Sequence, residues 1–421
     1  MTAFRTMPAL VLAASAMAAH GAADEDALDL QAAPAAPAAA QPSTLRLALE
    51  LGAIHGSRTG GRPSQDGHRA ALDLRWSDRL TEGWRFNLSN RLDEVHPALP
   101  GQRSTRNQLR EANVSWQAPS GGQSVDIGRL NLRHGPAYGF NPTDVFREGA
   151  SRSIVTADPV ALRENRTGTF MLRASQLWEG GSASVAWAPR LTTDGLSDKA
   201  WTLDLAATNA QHRLLFTANA KASDRWSGEA LALLEQGRRP LLGANVTGLV
   251  SDAMVVHGEW SMRRTSGLLD AALGQPDRQK VQHKLSAGAT YAFPGGLSVT
   301  AEAGYNGAGL DRDDWHTLFG QGPAAAGQLL LAAQSSQEQA SRKAWLLYAT
   351  QKGAFTKQLD ITAFVRQNLD DRSTLAWAEM RYHWDRIDLA LQWQRSSSGN
   401  ATEFGAMPYR QLIQLVGYLY F

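Results

Sequence analysis

The sequence predicts an all-β fold: a closed antiparallel transmembrane β-barrel of about 18 strands, bounded by about 16 and 20, with short turns on one rim and long loops on the other. Three observations predict it. Apolar and polar residues alternate with period two from Leu45 onward. Beyond the leader no segment approaches the about 20 consecutive apolar residues that a membrane helix needs. The chain ends on a strand-like segment whose last residue is Phe421.

Composition narrows the alternatives. Its 421 residues suffice for one large closed sheet or for roughly two or three soluble domains. With 43% hydrophobic and 19% charged residues, Gly 38 and Trp 13, the chain is too polar for a bundle of membrane helices. A formal net charge of +2 leaves no nucleic-acid footprint, and no nucleic-acid partner is expected. Cys is 0, which removes disulfides, thiolate metal ligands, cysteine nucleophiles and a lipidated cysteine.

Residues 1–23 carry Arg5, the apolar run from Ala9 to Ala14 and small residues around Ala16, Ala18 and Ala19. That order of charged, apolar and small segments predicts a secretory signal peptide. Residues 24–43 open on Asp24, Glu25 and Asp26 and continue in Ala and Pro. Lacking periodicity and large side chains, they predict a disordered periplasmic linker. The barrel is expected over 44–421.

Within it, Leu45, Leu47, Leu49 and Leu51 lie opposite Arg46 and Glu50; Leu72, Leu74 and Trp76 oppose Arg69, Asp73 and Arg75; and Trp84, Phe86 and Leu88 oppose Arg85, Asn87 and Ser89. The pattern recurs at Trp201, Leu203 and Leu205 against Thr202, Asp204 and Thr208. It continues through Leu214 to Lys221, Met254 to Arg263, Lys284 to Phe293, Leu297 to Asn306 and Ile387 to Gln394. Such segments supply the about 9–11 residues of a spanning strand, with one face for lipid and one for water.

Tight connections are expected at Glu179–Gly181, Asn209–Gln211, Pro294–Gly296, Pro119–Gly122 and Asp385–Arg386. Long polar connections are expected at 56–67, 96–106, 134–165, 190–198, 264–281, 307–341 and 397–410. About 19 strands can be marked, yet a bacterial single-chain barrel has an even number. Parity holds from either end as far as Ala222 and Gln282, which puts the surplus strand between Arg225 and Arg263.

In the last segment Ile413, Leu415, Leu419 and Phe421 share a face, with Tyr418 and Tyr420 beside them. With the leader and the alternation, this end makes the chain resemble, over residues 45–421, the porin-like bacterial outer-membrane β-barrel proteins. The resemblance implies a location in the Gram-negative outer membrane, contact with its lipid and lipopolysaccharide, and small solutes as cargo; a homotrimer is compatible with it. It also implies that Tyr418, Leu419 and Phe421 form the signal read by barrel-assembly machinery.

Loop 134–165 is long and partly apolar, with Tyr138, Phe140, Val145 and Phe146, which argues against disorder. In the barrels that the chain resembles, an early long loop turns inward. The candidates for a constriction are Asp144, Arg147, Glu148 and Asp158 on this loop, facing some of Arg69, Arg75, Arg85, Arg91, Arg110, Arg129 and Arg173 on the wall. Arginine suits that place because its planar fork stays charged and binds carboxylates through paired donors. A second reading has these arginines pairing with Asp73, Asp93 and Glu111 on neighbouring strands. The alternation satisfies both.

Loop 307–341 holds Asp311, Asp313 and Asp314 and an Ala-rich stretch at 324–340 that can form a short helix capping the mouth. The acidic group lacks the glycine and terminal glutamate of an EF-hand loop, so no metal site is assigned and no cofactor is expected. Trp76, Trp84, Trp116, Trp178, Trp187, Trp201, Trp226 and Trp393, with Tyr291, Tyr305 and Tyr418, fall near strand ends and predict an aromatic belt. The histidines form no HExxH or metal-spaced group, and no GxSxG motif occurs, so no enzyme is expected. The function expected is a channel for small polar or anionic solutes. The alternative is an accessory barrel supporting lipid or polymer export with periplasmic partners.

Overall fold

The computed structural model describes residues 44–98, 104–150, 156–191, 205–275, 278–397, 399 and 401–421. The leader and linker expected at 1–43 lie outside these residues. Eighteen strands are formed: β1 (Thr44–Arg58), β2 (Gln65–Thr81), β3 (Trp84–His96), β4 (Thr105–Gln117), β5 (Gln123–Leu130), β6 (Thr169–Trp178), β7 (Gly181–Ala188), β8 (Arg213–Ser223) and β9 (Trp226–Glu235) in the first half. The second half holds β10 (Leu241–Ser251), β11 (Met254–Thr265), β12 (Lys280–Ala292), β13 (Leu297–Asn306), β14 (Lys343–Gln351), β15 (Leu359–Asn368), β16 (Thr374–His383), β17 (Ile387–Ser397) and β18 (Tyr409–Tyr420). Among the described residues five helices lie in the connections: α1 (Pro159–Glu164), α2 (Leu205–Thr208), α3 (Leu268–Ala272), α4 (Arg312–Gly320) and α5 (Pro323–Ser336).

Every strand pairs antiparallel with its chain neighbours, and β1 pairs with both β2 and β18, so one sheet closes on itself. Leu49 stands opposite Leu419, and the Phe421 N–H donates to the Leu47 carbonyl at 3.0 Å. Closure matters because an open edge would leave a row of N–H and C=O groups unpaired in hydrocarbon. An even strand number brings both ends of the sheet to the same rim. That rim carries the short turns, such as those at Gly83, Gly180 and Gly295.

The period-two pattern sorts side chains between two surroundings. On β17, Ile387, Leu389 and Leu391 are exposed outward, while Asp388, Ala390 and Gln392 are buried inward. Such a strand is stable only where the outside is apolar and the inside polar. Outward aromatics gather near both rims: Trp76, Trp84, Trp178, Trp226 and Tyr291 toward the short turns, Trp187 and Tyr305 toward the long loops. Trp201 lies outside the described residues. Tyr418 departs from the expected belt: it is buried and inward, its hydroxyl accepting from Arg69 and Arg381.

The surplus strand is not where parity put it. Residues 225–263 hold three strands, β9 to β11. The strand expected from Trp201 to Thr208 ends, in its described part, as helix α2. Asn209 makes no tight turn there either: it is buried in the long connection 189–212, its side chain bonding Phe170 N, Phe170 O and Pro189 O at 2.8–3.0 Å. An amide that satisfies three backbone groups fixes a loop.

Candidate functional site

The connection from β5 to β6, residues 131–168, departs and returns at one side of the barrel but finds its partners on β9, β11, β13 and β14, so it runs across the interior. Carboxylates of the wall hold it by its backbone. Glu259 of β11 accepts from Ala137 N at 2.7 Å, Thr143 N at 3.2 Å and Thr143 Oγ1 at 2.8 Å. Glu302 of β13 accepts from Tyr138 N and Gly139 N, both at 2.7 Å, and lies 3.0 Å from His257 Nε2. Glu229 of β9 lies 3.1 Å from His134 Nδ1. Gly135 has φ 84°, and a Cβ there would collide with the Glu259 carboxylate, so only glycine lets the chain press this closely on the wall.

Apolar contacts complete the docking. Tyr138 and Val160 pack on Leu346, Tyr348, Phe364 and Trp377, the inward face of β14 to β16, with the Tyr138 and Tyr348 rings 5.2 Å apart. Phe146 joins Met171, Leu215, Leu231 and Leu233 on the inner face of β6 to β9.

The four loop candidates make these contacts. Asp144 is buried against Arg166 at 2.8 and 3.0 Å and Arg163 at 3.4 Å, residues of its own loop rather than of the wall. Burial alone would raise its carboxyl, but Arg166 and Arg163 outweigh that and hold it well below the usual range. Arg147 donates to Asn141 O at 2.6 Å and to Glu338 at 2.9 Å, its guanidinium 5.3 Å from the Phe140 ring centroid. Glu148 pairs with Arg238 of the β9–β10 connection. Asp158 caps α1, accepting from Val160 N, Ala161 N and the Tyr348 hydroxyl.

On the wall, Arg69, Arg91 and Arg110 are buried and paired. Arg91 forks onto Glu50 at 2.5 and 2.9 Å and reaches Asp93 at 2.8 Å; Arg110 forks onto Asp73 at 2.6 and 2.7 Å and meets Asn165 of the loop. Arg69 lies 3.6 Å from Glu50 and reaches Gln414 and the Tyr418 hydroxyl, which also accepts from Arg381; Arg381 in turn pairs with Glu379 at 2.9 Å. The result is one belt over β16 to β18 and β1 to β4 in which Arg69, Arg75, Arg91, Arg110 and Arg381 meet Glu50, Asp73, Asp93, Glu379 and Asp388. Arg75, half-exposed, lies 3.5 Å from Asp73; Arg85 bonds Ser77, Arg129 bonds Gly168 O at 2.8 Å, and Arg173 stands 3.9 Å from Asp126.

Connection 307–342 forms its own small core: Leu310, Trp315 and Leu318 pack with Leu329 and Ala333, beside Leu268 and Leu269 of α3. Asp311 caps α4 in a reciprocal box with Asp314, and both pair with Arg342. Among the described residues no group of three or more His, Cys, Asp or Glu is arranged to hold a metal ion. Glu338 takes Arg147 at 2.9 Å and Lys284 of β12 at 2.6 Å, which ties this cap to the crossing loop.

Sequence reasoning missed Glu229, Glu259 and Glu302, the loop arginines Arg163 and Arg166, and Glu338. Glu259 and Glu302 sit at polar positions of alternating strands, which marked their face but not their partners.

Burial, with the negative charge of Glu379, pushes the Asp158 carboxyl up to about 7 from its ordinary 3.8. Between those values the docked loop keeps a proton that a free chain releases, so this contribution to docking is full below 3.8 and is lost as pH rises through about 7. Protease cleavage within the loop should therefore rise between about pH 6 and about pH 8, and Asp158→Asn, still a capping residue, should flatten the rise. An unchanged profile in that variant would place the titration elsewhere.

The sequence matches no protein-family model and no curated protein. Solved structures share the fold. OccAB1 of Acinetobacter baumannii superposes with TM-score 0.56 at 11% identity, over 90% of this chain and 96% of that one. OpdK of Pseudomonas aeruginosa, solved with vanillate, gives 0.54 at 8% over 90% and 98%. OprB of Pseudomonas putida gives 0.51 at 11% over 90% and 94%.

Proposed function

We propose that this chain is a Gram-negative outer-membrane channel that passes small polar or anionic solutes through a lumen narrowed by the loop 131–168, and that it is not an enzyme. The observation that carries the reading is the barrel with two surroundings, polar within and apolar without, whose interior one pinned loop crosses. Helices or a soluble domain would have no use for an apolar band outside a charged interior. The likeness to OpdK, which holds vanillate, supports a small organic anion as one such solute.

In this reading Asp144, Arg147, Glu148 and Asp158 shape the inner edge of the loop, and the arginine belt opposite screens charge without a large net field. Lipid and lipopolysaccharide contact the apolar band. Assembly machinery engages the strand ending in Tyr418, Leu419 and Phe421 after export by the leader, and a homotrimer is compatible with the outer face.

Purified protein in a planar lipid bilayer should give discrete conductance steps, larger in a variant lacking residues 141–158. Silence from both forms would remove the channel reading and favour an accessory barrel for export, its mouth filled by the α4–α5 cap.

A further inference from the structure

We propose that the inner face of the long-loop mouth over β8 to β11 is a binding site for the oxyanion of a small solute, carboxylate or phosphate, and that Glu148 occupies it as a tethered stand-in for that solute. The inference rests on the channel reading and specifies where an anion is first held.

Three arginines converge there. Arg213 opens β8 opposite Glu235, which closes β9; Arg263 near the end of β11 reaches Glu235 at 2.9 Å; and Arg238 stands 3.5 Å from the same carboxylate. Glu235 thus pairs with two guanidinium groups, Arg238 and Arg263, while Arg213 lies across the ladder from it. Glu148, arriving on the crossing loop, takes the Arg238 fork at 2.5 and 2.7 Å. Without it, three cations would face one acid.

Two further observations mark the site as built for an anion. Nε and Nη2 of Arg263 are buried and have no hydrogen-bond partner among the described residues, although leaving buried donors of a charged group unsatisfied is costly. Arg213 spends its charge on a backbone carbonyl, Thr208 O, and on the Phe146 ring 5.0 Å away, substitutes for a carboxylate. Burial would raise the Glu148 carboxyl, but Arg238 in hydrogen-bond contact and the charges of Arg213 and Arg263 hold it below the ordinary range, so it stays an anion.

The Glu148 arm is also the part that can leave. Side-chain exposure is 45% at Glu148 and 37% at Arg238, against 6% at Glu235. Water reaches a pair at that exposure and screens its attraction. A solute carboxylate can replace Glu148 on the Arg238 fork with the same planar geometry and no change of charge, and a phosphate can do so through two of its oxygens. Arg213, Glu235 and Arg263 lie on the inward face of β8, β9 and β11, the face that carries Leu215, Leu233 and Ser261.

Titration calorimetry of inorganic phosphate and of acetate into the full-length protein in detergent tests this without requiring conductance. Removing the competitor in Glu148→Gln should tighten binding about tenfold, and Arg238→Gln should weaken it by about tenfold or more, one charged hydrogen-bonding fork in each case. Equal affinity in wild type, Glu148→Gln and Arg238→Gln, or no binding by any of them, overturns the site. Should Arg238→Gln fail to fold, wild type against Glu148→Gln still decides. Intact anion binding with no bilayer conductance would instead sink the channel and leave the site standing.

Discussion

Glu259→Ala combined with Glu302→Ala should undock the crossing loop, raise single-channel conductance several-fold and open the loop to trypsin at Arg147 and Arg163. The two carboxylates accept four backbone N–H groups and the Thr143 hydroxyl. Hydrogen bonds to a charged group contribute about 1.5–3 kcal/mol each, and even a net loss of about 4 kcal/mol shifts the docked-to-undocked ratio about a thousandfold. The apolar contacts of Tyr138, Val160 and Phe146 remain, so the sheet itself should survive. A loop that stays protected at unchanged conductance would mean that these apolar contacts alone fix it.

A second large effect is expected in the belt. Asp73→Asn removes the carboxylate under the Arg110 fork and leaves a buried guanidinium with only the neutral acceptors Ser89 and Asn165, at a cost of about 3–5 kcal/mol. The temperature at which the variant unfolds in detergent should fall clearly below that of the wild type. The belt then has one carboxylate fewer, and the reversal potential in a salt gradient should move toward anion selectivity. Adding Arg110→Gln should restore both properties, because the coupled pair, and neither residue singly, sets the cost. Failure of the second substitution to rescue would show that Arg110 acts independently of Asp73.

The barrel was legible because its cause is local. Ile387, Leu389 and Leu391 face one surrounding and Asp388 and Gln392 another, and adjacent residues on one strand record both. The crossing loop was legible as an ordered segment, from Tyr138, Phe140 and Phe146, but its partners were not. Ala137 meets Glu259 across 122 positions of sequence and Gly139 meets Glu302 across 163, and nothing in either neighbourhood encodes the other. The wall arginines were visible one by one; that Arg91 takes Glu50 rather than Glu111 depends on the registers that set β1 and β3 on either side of β2. The misplaced strand has the same origin. Leu205 to Thr208, the described part of that segment, turn as a helix, and alternation over so few residues does not fix a spanning strand.

The long reach of that loop bears on how the molecule comes together. Its residues are made early, between β5 and β6, yet Glu229, Glu259, Glu302 and Tyr348 all follow later in the chain. Until β11 and β13 are standing, the amides of Ala137, Tyr138, Gly139 and Thr143 have no carboxylate to meet and must be served by water. Docking is therefore a final act, and a barrel caught half-zipped would be a leaky one.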